Sequence, residues 1–250
     1  MESIEVFRSF GGMPDRDLAF EEVQIARARG GAPSISLYSW GRPVLVLGYG
    51  QDPASVDLAA CRALGVPVRR RVTGGTGVLH TGDLAVSLAL PADHAWARGI
   101  RGLYGRFVDS IAASLHGLGA RVEKPADLPA GRPVRSPICF EALDRETLLV
   151  GGRKAVGCAQ ARRSGAVLVH AVLLLGLDAD LQARVYGVTP DRIRAALAPV
   201  PVPDSCRPLL PDALTDAITF AIGLRPEPAV PPPLPPDLAG RYADPRWAPA

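Results

Sequence analysis

The sequence predicts a mixed α/β fold with sheets flanked by helices, on three observations. Short β-rich runs punctuated by Gly and Pro recur at both ends of the chain's middle, in SISLYSWGRPVLVLGYG from Ser34 to Gly50 and again between Glu146 and Leu175. Between them Leu103, Phe107, Ile111, Leu115 and Leu118 recur at spacings of four and three, one buried face of a helix that stops at Gly119. At 250 residues, 48% of them hydrophobic and 21% charged, the chain is long enough to bury a substantial core.

The elements follow in order. Gly41-Arg42-Pro43 divides the first β-rich run into a hairpin-like pair of strands. A helix is expected next, capped by Asp52 with Pro53 at its first position, its apolar face made by Val56, Leu58, Ala59 and Leu64 and its stop at Gly65. A strand from Val66 to Val72, a Gly-rich turn and a strand from Asp83 to Leu90 lead to the long helix. Beyond a Pro-rich loop come strands at Glu146 to Val150, Arg153 to Ala159 and Ala166 to Leu175, the first two joined by the Gly151-Gly152 turn. Asp178 to Tyr186 and Pro211 to Ile222 read as helices. From Leu224 onward PEPAVPPPLPPDL is expected to support no regular element, because proline removes donors and fixes φ. This places one folded domain over residues 1–224, with 225–250 an extended Pro-rich tail and no accessory domain. Periodicity names the elements and leaves the strand order open.

Composition narrows the function. With 28 basic and 25 acidic residues the formal charge is only +3, which argues against nucleic acid or an anionic membrane as partner. VLVHAVLLLGL, from Val167 to Leu177, falls short of the roughly 20 apolar residues of a spanning helix. MESIEVFRSF has acidic residues where a secretory leader has basic ones, so a cytoplasmic location is expected. The four cysteines, Cys61, Cys139, Cys158 and Cys206, show neither disulfide nor metal spacing, and no metal site is expected. Cys158, between Gly157 and Ala159, reads as a small buried hydrophobe. Only Lys124 and Lys154 among the basic residues are lysines, so a lysine kept in an Arg-dominated chain calls for a reason.

Two strings carry chemistry. In RRVTGGTGVLH, Arg70 to His80, the glycines let backbone amides close around a ligand; the competing reading is a turn that needs positive φ. Arg70 and Arg71 enter that turn from opposite faces of a strand, so one of them can face a ligand. No Gly-Lys-Ser/Thr follows, which excludes a Walker loop. In SPICFEALDRETLLVGGRKAVGCAQARRSGAVLVH, Ser136 to His170, Cys139 sits in a loop as either a nucleophile or an inert thiol. Lys154 opens a strand, either as a solvated strand-end residue or as a buried ammonium that polarises a carbonyl or holds a thiolate. His80 and His170 each end a β-like segment, where each either orients a ligand or bonds a neighbouring group.

Together these strings resemble the biotin/lipoate protein ligase superfamily, and within it the lipoate-protein ligase A group that includes stand-alone octanoyltransferases. The resemblance runs in order from LYSWGRPVLVLGYGQ through RRVTGGTGVLH and SPICF to GGRKAVGCAQARR and His170, and Tyr242 to Trp247 is similar to the close of octanoyltransferase chains. The sequence departs from the group's pattern at Thr81, where an acid follows the motif His and Asp83 stands two positions on. It departs also at Ala171 for Gly, at Cys158 for Ser, and at Leu18-Ala19-Phe20-Glu21-Glu22 for Met-Ala-x-Asp-Glu.

The resemblance implies a large mixed sheet flanked by helices, with a smaller sheet. It implies an acyl transfer in which Cys139, 15 positions before Lys154 and within a Cys-Phe pair, takes octanoate from octanoyl-acyl carrier protein as a thioester and passes it to a lysine of a lipoyl-domain protein. The acceptor would be a glycine-cleavage H protein or a dehydrogenase E2 subunit. Lys154 would be catalytic beside Cys139, and Arg71, Gly74, Gly75, Gly77, His80, Gly157 and His170 would bind substrate, with an apolar tunnel for the acyl chain nearby. No cofactor is implied. The alternative within the family is an ATP- and Mg²⁺-dependent lipoate-protein ligase, and a third reading, prompted by Thr81 and Ala171, is a non-catalytic carrier-binding homologue.

Overall fold

The computed structural model describes residues 2–126, 143–163, 165–244 and 246–247. Two β-sheets lie at its centre. A seven-stranded mixed sheet runs in the order β10-β1-β2-β6-β9-β8-β7, and a three-stranded sheet in the order β4-β3-β5. The main sheet comprises β1 (Ser3–Phe10), β2 (Ser34–Ser39), β6 (Leu84–Pro91), β7 (Leu148–Val150), β8 (Arg153–Arg163), β9 (Ala166–Leu173) and β10 (Arg225–Pro228). The small sheet comprises β3 (Val44–Leu47), β4 (Val68–Arg70) and β5 (Val78–His80).

Side-chain alternation along β9 divides the core into layers. Val167, Val169, Ala171 and Leu173 pack in one cluster with Phe107 and Ile111 of α3 (Ile100–Gly117) and Leu214 and Ile218 of α6 (Leu210–Ile222). Val172 and, just past the strand, Leu174 pack in another, with the small sheet, Leu18 of α1 (Pro14–Arg29), and residues of α4 (Ala179–Tyr186) and α5 (Pro190–Ala196). The opposed β-strand residues on this second face form two rows. Ser36, Ser87, His170 and Ala159 are successive partners, as are Tyr38, Ala85, Val172 and Gly157. The polar members of these rows lie under α1.

Helix α1 and strand β1 went unread in the sequence, although Pro14 at the first turn, Asp15 and Asp17 beside it and Arg27 and Arg29 in the last turn suit the helix dipole. Three expectations are corrected. The hairpin between Ser34 and Gly50 does not form, because β1 and β6 occupy both edges of β2, and the bend at Gly41 to Pro43 carries the chain into the small sheet. The single helix from Asp52 is two short pieces: Asp52 caps a 3₁₀ turn at Ala54, extended Val56 interrupts, and Asp57 caps α2 (Leu58–Ala63) at Ala60.

The Pro-rich tail, expected to lack regular structure, supplies edge strand β10 and α7 (Pro236–Ala243). The reason is positional. The amides of Arg225 and Ala229 donate to Glu2 and Val6, so the inward donors along β10 fall on odd-numbered residues. Pro226 and Pro228 fall on the alternates that face away, where no donor is needed. Pro236 occupies the first turn of α7, where its missing N–H has no helical partner to lose. Among the described residues no helix is long and apolar enough to cross a membrane.

Candidate active site

Of the paired arginines, Arg71 holds the Gly-rich turn between β4 and β5 and Arg70 holds the neighbouring loop at residues 48–51. Arg71 is buried; its Nε donates to Thr73 Oγ1 at 2.9 Å and its Nη2 to the carbonyls of Gly74 at 2.6 Å and Thr76 at 3.1 Å. Arg70 points the other way. Its Nη1 donates to the carbonyls of Gly48, Tyr49 and Gln51, and its Nε to that of Trp247 at 3.0 Å, which ties the tail to this loop. Of the two, Arg71 faces the candidate site. Gly48 must lack a side chain, because a Cβ there would sit 1.9 Å from the Gly75 carbonyl oxygen, while Gly75 itself has φ of +90°.

A small cavity of about 20 Å³, room for about one water, opens between the turn and the main sheet; Tyr38, Arg71, His80, Gly157, Cys158 and His170 line it. Four residues expected to bind substrate, Arg71, His80, Gly157 and His170, therefore meet at one place although almost 100 positions separate the first from the last. Val46, Val78 and Val172 supply apolar wall. Cys158, expected as core, is half-buried and packs against the α3/α6 layer, and it also borders this cavity. Gly77 is buried, its carbonyl accepting from the Tyr186 hydroxyl at 3.1 Å, whereas Gly74 and Gly75 lie exposed at the outer rim.

Lys154 is buried, and its position depends on an irregularity. In regular pairing it would share a face with Val156. The register of β7 against β8 shifts by one residue, so that Val156 pairs with Leu148 but Lys154 pairs with Leu149. Leu148, Ala155 and Val156 all pack into the α3/α6 layer, and cross-strand partners share a face, so the bulge turns Lys154 to the opposite face, that of Gly157 and His170. Its carbonyl accepts from Ala198 at 3.1 Å beside the end of α5. Cys139 lies outside the described residues.

His170 is bonded at both ring nitrogens. Nε2 is 3.1 Å from Thr73 Oγ1 and Nδ1 is 2.9 Å from Glu21 Oε1, which also accepts from the Tyr38 hydroxyl at 3.0 Å. Because Glu21 Oε1 is already the acceptor from Tyr38, the assignment that suits every partner has Nδ1–H donating to Glu21 and Thr73 donating to Nε2. One turn on, Gln24 Oε1 accepts from Ser36 and Ser87. Glu21 and Thr73 were missed as site residues; the Glu21-Glu22 pair and the Thr before the glycines were visible, but nothing in a linear string sets them against His170.

The other histidine differs. His80 packs edge-on against Trp40, centroids 4.8 Å apart, and its Nδ1 is 3.6 Å from Asp83 Oδ2. Among the described residues neither carboxyl oxygen of Asp83 has a partner at full hydrogen-bond geometry, although the Thr81 and Leu175 amides lie close enough to favour its charged form. Burial raises Asp83 to about 8, against the opposing pull of the nearby Thr81 and Leu175 amides. Burial, then the charge of Arg71 and the neighbouring His170, lowers His80 to about 3. Both shifts favour the uncharged forms, a carboxylic acid beside a neutral imidazole.

The profile of the family described as "Lipoyl protein ligase A/B catalytic domain" matches residues 14–212. The Octanoyltransferase LipM of Moorella thermoacetica is 34% identical over 189 residues, 74% of this chain and 69% of that one. That of Carboxydothermus hydrogenoformans is 36% identical over 184 residues, 71% of this chain and 66% of that one. The matched stretch therefore spans about two thirds of these relatives. Among solved structures, a lipoate-protein ligase A bound with ATP superposes with a TM-score of 0.79 at 23% identity, covering 99% of this chain and 98% of that one. A putative lipoate protein ligase from T. acidophilum with bound lipoic acid gives 0.78 at 23% identity, with the same coverage; at that identity both speak for the fold. With a profile match over most of its length, relatives above 30% identity and the predicted two-sheet architecture, the chain belongs to the lipoyl protein ligase A/B catalytic domain family.

Proposed function

We propose that this protein is an octanoyltransferase that moves octanoate from octanoyl-acyl carrier protein to a lysine of a lipoyl-domain protein through a thioester on Cys139. The observation that carries the reading is the convergence of Arg71, His80, Gly157 and His170 on one buried cavity, with Lys154 turned onto the same face, in a chain 34% identical to an Octanoyltransferase LipM.

The Cys139 thiolate attacks the donor's carbonyl carbon, forming a carbon–sulfur bond as the carrier's sulfur leaves and takes up the proton that Cys139 gave up. The acceptor lysine, as the free amine, then attacks the acyl-enzyme. An amide bond forms, the Cys139 carbon–sulfur bond breaks, and the amine's proton returns to the thiol. Thioester exchange is close to balanced and amide formation runs downhill, so the scheme calls for no nucleotide, and splitting the transfer into two steps is the gain of covalent catalysis. The ammonium of Lys154 polarises the carbonyl and favours the thiolate. Uncharged His80 adds no competing positive charge beside Arg71.

Intact-protein mass after mixing with octanoyl-acyl carrier protein, without nucleotide, tests this. The wild type should gain one octanoyl group that a lipoyl domain discharges, and Cys139→Ala should gain none and transfer nothing. Modification of the lipoyl domain only on adding free octanoate or lipoate with ATP and Mg²⁺ would replace the transferase by a ligase. Near-normal transfer by Cys139→Ala would sink the mechanism.

A further inference from the structure

Beside the glycine turn the surface carries an aromatic and arginine cluster that the chemistry above does not use. Tyr49 is 52% exposed, yet its backbone is pinned: its amide donates to Thr73 at 2.8 Å and its carbonyl accepts from Arg70 at 3.0 Å. The Arg163 guanidinium lies 5.8 Å from the centre of the Tyr49 ring, and the Trp247 ring meets Tyr49 edge-on at 5.7 Å. Arg241 covers Trp247 at 5.0 Å. From this cluster a groove of about 640 Å³ runs between α1 and α7, lined by Arg27, Arg29, Arg163 and Arg241 against only Glu22 and Asp237 among charged residues. Glu22 is shared between Arg163 and Arg241, and Arg27 pairs with Glu5.

We propose that Tyr49, Trp247 and this arginine groove form the docking surface for the protein whose lysine is acylated, recognised through an acidic patch on that protein. The inference rests on the reading that a protein lysine is the acceptor. Three features support it. Tyr, Trp and Arg are the residue types that dominate binding energy at protein interfaces. Pinning the Tyr49 backbone lowers the ordering cost of using its ring as an anchor. Position is the third: Tyr49 follows Gly48, which packs on the Gly75 carbonyl, and its amide donates to Thr73, so its exposed ring adjoins the exposed rim of the glycine turn. The excess of guanidinium over carboxylate in the groove sets the sign of the partner's charge.

The test is titration of the full chain with an unmodified dehydrogenase E2 lipoyl domain, comparing wild type with Tyr49→Ala and with the double variant Arg29→Glu, Arg163→Glu. Acyl loading from octanoyl-pantetheine, a small thioester that needs no protein contact, is followed alongside. Each variant should weaken lipoyl-domain binding by about tenfold or more, the scale of an interface hot spot, with loading within about twofold of wild type and thermal unfolding unchanged. Unaltered lipoyl-domain affinity overturns the proposal. So does weakened affinity for acyl carrier protein alone, which would give the surface to the donor. Loss of loading in step with lipoyl-domain binding also overturns it, since Tyr49 would then only brace the turn. If the wild type never forms an adduct, the thioester reading fails, while the titration still decides the surface.

Discussion

The two histidines that border the candidate site are buried to a similar degree, and they sit in opposite electrostatic conditions. His170 stands in a network in which Thr73, Glu21 Oε1 and Tyr38 meet every donor with an acceptor, while Glu21 Oε2 is buried with no hydrogen-bond partner among the described residues. His80 stands against Asp83, whose buried carboxyl has no partner at full hydrogen-bond geometry among the described residues, and the pair lowers its cost by staying uncharged. A network whose donors are all met fixes geometry, here the path from α1 through His170 and Thr73 to Arg71 and the glycine turn. An unsatisfied pair fixes protonation instead. The site thus has a rigid side and a side whose charge is suppressed.

The largest effect should come from the unsatisfied side. An acid whose folded pKa lies above its unfolded value costs nothing below pH 3.8, where both states hold the proton, and costs progressively more as pH rises toward about 8. Asp83→Asn removes that slope. Its unfolding free energy relative to wild type should rise through this window, by several kcal/mol at the alkaline end, as measured by urea unfolding at a series of pH values. A difference independent of pH would show that Asp83 is already ionised and paired.

On the satisfied side, Glu21→Ala leaves the His170 Nδ1–H and the Tyr38 hydroxyl buried and unpaired. Two such orphans should cost about 3 kcal/mol, measured by urea unfolding at neutral pH. A loss below about 1 kcal/mol would mean that water or another group takes the place of Glu21, and the contrast between the two corners would dissolve.

The smallest change tests the link between the network and the turn. Thr73→Val keeps the shape and removes the bonds to His170 and Arg71. The expected cost is about 1 kcal/mol of stability, together with a raised KM for the acyl donor at nearly unchanged kcat, because Arg71 loses one of the contacts that aim it. An unchanged KM would confine Thr73 to a structural part.

Local pattern determined much of this protein. The helix from Ile100 to Gly117 follows from its apolar spacing, β8 and β9 from their β-rich runs around Gly residues, and α4 from Asp178 at its cap. The residues expected to bind substrate were legible as motifs, because glycine turns and the scarcity of lysine are properties of the string itself. The tertiary structure decided what depends on distance. It drew β2 and β3 into different sheets, because strand edges are shared out among partners remote in sequence. It made Pro226 and Pro228 tolerable by facing them away from β1. It turned Lys154 toward the site through a one-residue register shift, which no periodicity reveals, and it set Glu21 of α1 against His170 of β9, 149 positions away. Spacing along the chain reports which face a residue prefers; which residues share that face is settled only when the sheets and helices close around one core.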